Sequence, residues 1–142
     1  MDTEMLDAQD YPLAEKRRDL VRGRRGKSLD ELDLAAVENG EVVMEDLRIT
    51  ARALELQAKI AHTGNRKKLA ENFERGAELV EVPQEYLMEI YELLRPGRAR
   101  DRSVLEKVAE NLRATYNANY MAEFIEEAAE VYEARGLFAS RF

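Results

Sequence analysis

Residues 48–96, RITARALELQAKIAHTGNRKKLAENFERGAELVEVPQEYLMEIYELLRP, decide how this chain folds. They read as three consecutive helices, each with its own start and stop signal. Thr50 caps a helix over 51–63 and Gly64 closes it. Asn65 caps a second helix over 66–80. Pro83 opens a third over 83–94, where a missing N–H is tolerated, and Pro96 ends it. The most distinctive segment is Asn72-Phe73-Glu74-Arg75-Gly76-Ala77-Glu78-Leu79.

The apolar spacing within this block says what each helix packs against. The first helix carries Ala53, Leu54, Leu56, Ala58, Ile60 and Ala61, which is wider than one stripe and predicts contacts on two sides. The second places Leu69, Phe73, Gly76, Ala77 and Val80 on one face, and the third places Leu87, Ile90, Tyr91 and Leu94 on one face. Gly76 costs about 1 kcal/mol in a helix relative to Ala, so a close approach by a neighbouring helix is expected there. Tyr86 and Tyr91 read as core or interface aromatics.

Outward from this block, Ser28-Leu29-Asp30-Glu31 is a capping box that predicts a helix over 29–38, with Leu29, Leu32, Ala36 and Val37 as its stripe and Gly40 as its stop. Met44 to Leu47 adds one more turn on the way in. Ser103 to Glu106 is a second capping box. It opens a run free of Pro and Gly that extends to Arg135, with Gly136 as its stop. Its spacing predicts one helix of about 30 residues, roughly 45 Å long, with Asn117-Ala118-Asn119 as its weakest point. The fold class is therefore all-α: a helical bundle of three short core helices and one long C-terminal helix. Residues 1–27 form an extended, basic, partly disordered N-terminal arm and 28–142 a helical domain.

Composition sets the limits of function. The 142 residues carry a formal net charge of −7, with 45% hydrophobic and 36% charged side chains. That balance argues against a general nucleic-acid binder. There is no cysteine, so disulfides and thiolate metal sites do not arise. No run of about 18 apolar residues predicts a membrane span, and Met1 to Asp10 is acidic with no signal-peptide core, so the expected location is cytoplasmic. Glu15 to Lys27 opposes the acidic trend, with seven basic residues against two acidic ones. It reads either as an arm that lies on an acidic partner or as a solvated loop. Tyr11, held extended by Pro12, and Leu13 fit either a groove on a partner or this chain's own helices.

Catalytic equipment is nearly missing. His62 is the single histidine and sits at a helix end, where the dipole favours a protonatable group. No HExxH, Glu-x-x-His, phosphate-binding loop or calcium loop occurs. Glu123, Glu126, Glu127, Glu130 and Glu133 follow a solvated helix face, and nothing selects an acid/base pair among them. The chemistry alone describes a helical interaction module.

Asp10-Tyr11-Pro12-Leu13-Ala14 resembles the entry motif of the small (gamma) subunit of adenosylcobalamin-dependent diol and glycerol dehydratases. The likeness continues in register through Asp46, Arg48-Ile49-Thr50, Leu54 with Leu56-Gln57-Ala58, Ile60-Ala61, Asn72-Phe73 with Arg75, Ala77-Glu78-Leu79, Val82-Pro83, Ile90-Tyr91, Leu94-Arg95-Pro96, Ala122 with Phe124, Glu127-Ala128, Tyr132 and Arg135. It spans about residues 10–137. Each piece is weak, but their order and spacing are specific. The resemblance implies a non-catalytic subunit of a lyase that turns a 1,2-diol into an aldehyde and water by a radical route. Substrate and radical would lie in a (β/α)8 barrel of the large subunit, with adenosylcobalamin between the large and medium subunits and none on this chain. The whole would be a dimer of heterotrimers. None of the family's catalytic, cofactor-binding or metal-binding residues maps here.

The residues expected to face a partner are Tyr11, Pro12, Leu13, Arg48, Asn72, Arg75, Arg95 and Tyr132. The N-terminal extension that some relatives carry, linked to enclosure in a protein-shelled microcompartment, is not seen. The Arg-rich stretch 16–27 is more basic than the resemblance implies. The competing reading is a free-standing helical adaptor whose basic arm binds an acidic protein or RNA.

Overall fold

The computed structural model describes residues 5–139. The chain divides into two compact units, Met1–Val80 and Glu81–Phe142. The helices in chain order are α1 (Leu13–Lys16), α2 (Leu34–Glu38), α3 (Met44–Leu47), α4 (Ala51–Thr63), α5 (Lys67–Leu79), α6 (Gln84–Leu94), α7 (Arg102–Tyr116) and α8 (Asn119–Arg135). Among the described residues the only bridge between extended backbones is a single one between Arg22 and Ser28. The all-α reading is correct.

In the first unit, α4 and α5 form an antiparallel pair. Thr50 Oγ1 accepts the Ala53 N–H at 3.1 Å and starts α4 as the sequence predicts. The reversal differs from expectation in one respect. Gly64 keeps negative φ, and Asn65 takes the left-handed conformation at φ +58°. The Asn65 N–H then donates to His62 O and the Arg66 N–H to Ala61 O at 2.9 Å, which satisfies the last carbonyls of α4. Asn65 is thus the stop of α4 rather than the cap of α5.

The two-sided packing predicted for α4 is present. One side buries Leu56 and Ile60 against Leu6 and Leu13 from the N-terminal segment. The other buries Ala58 and Ala61 against Ala70 of α5, with Phe73 packed alongside. A Cβ on Gly76 would meet only the Leu54 side chain, at an ordinary 3.6 Å, so a neighbouring backbone does not explain this glycine.

The N-terminal segment is not an extended arm. It folds into short helical turns over Ala8–Asp10, Leu13–Lys16 and Arg18–Leu20. Asp7 caps the first by accepting the Gln9 N–H at 2.7 Å, and Asp10 returns a bond from the Asp7 N–H. The anchors are Leu6 and Leu13, whose burial on α4 contributes about 1.5–3 kcal/mol each. The helix expected over 29–38 is also divided. A turn over Leu29–Glu31 ends, and Asp33 restarts the chain as α2 by accepting the Ala36 N–H at 2.8 Å.

In the second unit, α7 and α8 form the other antiparallel pair, where the sequence predicts one long helix over 103–135. Asn117 sits at φ +53°, and the N–H groups of Asn117 and Ala118 both reach back to Leu112 O. The chain therefore reverses with neither Pro nor Gly. Leu105, Leu112 and Ile125 are fully buried, and so are the small residues Ala109, Ala118, Ala122 and Ala129. The expected capping box at Ser103 is not formed: Asp101 holds the cap position, and Ser103 Oγ donates to its carboxylate. Gly136 is the stop of α8 as predicted, at φ +65°. Ile90 of α6 is buried, the Tyr86 ring lies 6.2 Å from that of Tyr116, and Tyr91 is exposed.

Candidate functional site

The basic stretch is folded onto carboxylates of its own unit. Arg17 pairs with Asp19 at 3.3 Å, Arg18 with Asp30 at 2.6 Å, Arg24 with Glu45 at 3.6 Å and Arg25 with Asp46 at 3.1 Å. The Arg17 guanidinium holds the Asp19 carboxyl below the usual range. Asp46 is the key partner. Its side chain is buried, and Oδ2 accepts both from Arg25 and from the Val43 N–H. Oδ1 is buried with no hydrogen-bond partner. Gly23 lies so close that a Cβ there would meet Asp46 O at 2.7 Å. Gly23, Arg24 and Arg25 thus clamp α3, while Arg17 and Arg18 pair with Asp19 and Asp30, so these arginines are held by carboxylates of this chain itself.

Two members of the carboxylate row of α8, Glu126 and Glu133, are likewise taken up by folding. Arg113 of α7 grips Glu126 with both terminal nitrogens, at 2.7 and 3.1 Å, and Arg102 reaches Glu133 at 2.8 Å. The Arg113 bonds hold the Glu126 carboxyl below its usual range. His62 Nε2 lies 2.8 Å from Glu74 Oε1 across the α4–α5 pair, on the surface. Among the described residues no three His, Asp or Glu side chains converge as a metal site, and no helix is long and apolar enough to cross a membrane.

The first unit has an apolar groove of about 320 Å³. Ile60 and Ala61 of α4, Leu69 and Phe73 of α5, Gly64 at the turn and Ala8 and Tyr11 of the N-terminal segment line it, with Arg66 at its edge. Tyr11 is 65% exposed and forms one wall. The other residues expected to face a partner are placed variously. Pro12 is half-buried, and Leu13 is buried inside this chain's own core. Arg48 is exposed and pairs with Glu45 at 3.1 Å. Asn72 is exposed and accepts a bond from Arg75 one turn on. In the second unit Arg95 is exposed and pairs with Glu92 at 3.2 Å. Tyr132 is half-buried, and its hydroxyl donates to Leu94 O. The fold brings Asn72 and Arg75 together, and leaves Tyr11 and Arg48 as separate exposed points.

A small, paired, mostly helical chain without a reactive cluster among its described residues matches a known family. The profile of the family described as "Dehydratase small subunit" matches residues 6–139. The chain belongs to the dehydratase small-subunit family. It is 43% identical over 126 residues to the propanediol dehydratase small subunit of Citrobacter freundii, covering 89% of this chain and 73% of that protein. Identity to the Salmonella typhimurium protein of the same name is also 43%, over 89% of this chain and 72% of that one. This chain is accordingly a small subunit of a dehydratase, a lyase, and other subunits are its partners. A dehydratase of this family works with a cofactor as a whole enzyme.

The motif reading selects Tyr11 but not the groove beside it. The groove is assembled from residues 8–73 and has no local signature. Its one readable trace is Leu69, an apolar residue on the predicted buried face of α5 that the structure leaves 37% exposed.

Proposed function

We propose that this chain is the non-catalytic small subunit of an adenosylcobalamin-dependent diol dehydratase, which converts 1,2-propanediol or glycerol to an aldehyde and water. Its partners are the large and medium subunits, in a dimer of heterotrimers, and its place is the cytoplasm. The cofactor, when bound, supplies the radical that starts the reaction, and it belongs to the companion subunits. The observation that carries this reading is the match over residues 6–139 to a family of dehydratase small subunits.

The residues of this chain do not fit a corrinoid. The only imidazole has its Nε2 committed to Glu74, and the apolar groove of about 320 Å³ is of a size for side chains. What the chain supplies is a rigid support that keeps the barrel of the large subunit shaped and closed. Tyr11, Pro12, Arg48, Asn72, Arg75 and Arg95 are the candidate contacts. Leu13 and Tyr132 act from inside, holding the N-terminal segment and α8 in place.

Co-expression of the three subunits tests the reading. Omitting this chain should abolish assembly of the full complex and its diol dehydratase activity. Tyr11→Ala should lower the affinity for the companion subunits by about tenfold while leaving the melting temperature of the isolated chain nearly unchanged. A chain that elutes alone as a monomer, and whose omission leaves assembly and activity intact, overturns the proposal.

A further inference from the structure

Residues 34–49 are built inside out. On α2, the link and α3, the side chains turned inward are Ala36, Val42 and the carboxylate of Asp46. Those turned outward are Leu34, Val37, Val43, Met44, Leu47 and Ile49, with Leu34 72%, Met44 68% and Leu47 60% exposed. A chain folding for itself alone would reverse this, since burying a carboxylate costs free energy and burying leucine gains it. The inversion is fixed by named contacts. Arg25 and the Val43 N–H hold Asp46 inward, and the Val42 N–H donates to Ala36 O at 3.0 Å. With Asp46 held, Met44 and Leu47 have no inward position. The exposed apolar surface of the strip is on the order of several hundred Å², the scale of an interaction site.

The rim of the strip is acidic. Asp46 is turned inward and Asp30 and Glu45 pair with Arg18 and Arg24, which leaves Glu31, Asp33, Glu38 and Glu41 as exposed carboxylates around the strip. Two copies of the strip facing each other would juxtapose these carboxylates, which disfavours self-pairing. A complementary surface is apolar at its centre and edged with Lys and Arg.

We propose that residues 34–49 form a docking surface for a companion dehydratase subunit that presents an apolar face with a basic edge. The assignment rests on the small-subunit reading. The clamp of Gly23, Arg24 and Arg25 is then a positioning device, which presents the strip by keeping Asp46 buried.

The test uses the full chain and its co-expressed companion subunits. The double variant Met44→Glu/Leu47→Glu should retain the helicity and melting temperature of the isolated chain, because both side chains are already exposed. Its affinity for the companion subunits should fall at least about thirtyfold. Tyr91→Glu, at an exposed apolar position on α6 of the other unit, should bind as the native chain does. Glu38→Lys/Glu41→Lys should weaken association most at low salt. If the native chain binds and the Met44/Leu47 variant binds equally well, the surface is misassigned. If that variant instead dissociates a dimer of the isolated chain without changing companion binding, the occupant is a second copy and the proposal fails. If the native chain binds no companion subunit, the small-subunit reading fails with it.

Discussion

In the α4–α5 pair the chain reverses at Asn65 and in the α7–α8 pair at Asn117, both in the left-handed conformation. The seams behind the two turns differ. The α4–α5 seam is closed by small residues, Ala58, Ala61 and Ala70, with a half-buried Phe73, and α4 spends its large side chains, Leu56 and Ile60, on the N-terminal segment. In the α7–α8 pair the large side chains Leu105, Leu112 and Ile125 are fully buried. It is also laced by Arg113–Glu126 and Arg102–Glu133. One pair is a platform with further segments on it. The other has its large side chains fully buried and two ion pairs across it.

The comparison separates what was legible in the sequence from what was not. The α4–α5 reversal is readable because Gly64 stands beside the turning residue, although the turn itself falls on Asn65. The α7–α8 reversal is hidden because Asn117 has no Gly or Pro beside it, and apolar spacing runs unbroken through it. A residue that costs little in the left-handed region can turn a helix without announcing a break. The buried Asp46 and the outward Met44 and Leu47 are hidden for another reason. Their orientation depends on Arg25, twenty-one residues away, and spacing alone assigns an apolar residue inward. The family resemblance was legible in full, since it rests on the order of many short pieces rather than on any one element.

The largest expected effect sharpens the contrast between seams. Ile125→Ala should cost about 2–5 kcal/mol, because a fully buried side chain leaves a cavity between two helices. Phe73→Ala should cost less, roughly half of the 3–5 kcal/mol typical of a fully buried ring, because Phe73 is only half-buried beside the groove. Urea unfolding followed by amide exchange in each helical pair checks both. Equal losses at the two positions would break the distinction between a platform and a closed seam.

The next effect concerns the turns. Asn117→Gly should be nearly neutral, and Asn117→Val should cost about 1–2 kcal/mol, because only the β-branched side chain clashes at φ +53°. The same pair of substitutions at Asn65 should follow the same order. Should Asn117→Val be as stable as the native protein, with exchange protection continuous across 116–119, the long single helix predicted from spacing is accessible after all.

The smallest effect is electrostatic, and only its pH dependence makes it informative. Arg113 donates two hydrogen bonds to Glu126 and holds that carboxyl below its usual range. In the unfolded chain the same group titrates at about 4.3. The folded state therefore binds the proton less readily, so the pair stabilises the α7–α8 seam at neutral pH. That contribution is lost as pH falls through the lowered folded value. Both side chains are more than a third exposed, so solvent screens the pair and the effect is well below that of Ile125→Ala. Glu126→Gln should lower the protection of α7–α8 amides slightly and evenly at pH 6–8. The difference from the native protein should shrink below about pH 4 and should diminish in high salt. A difference that persists at pH 2 would show that Glu126 acts through packing, and that the α7–α8 seam, like α4–α5, is held by shape alone.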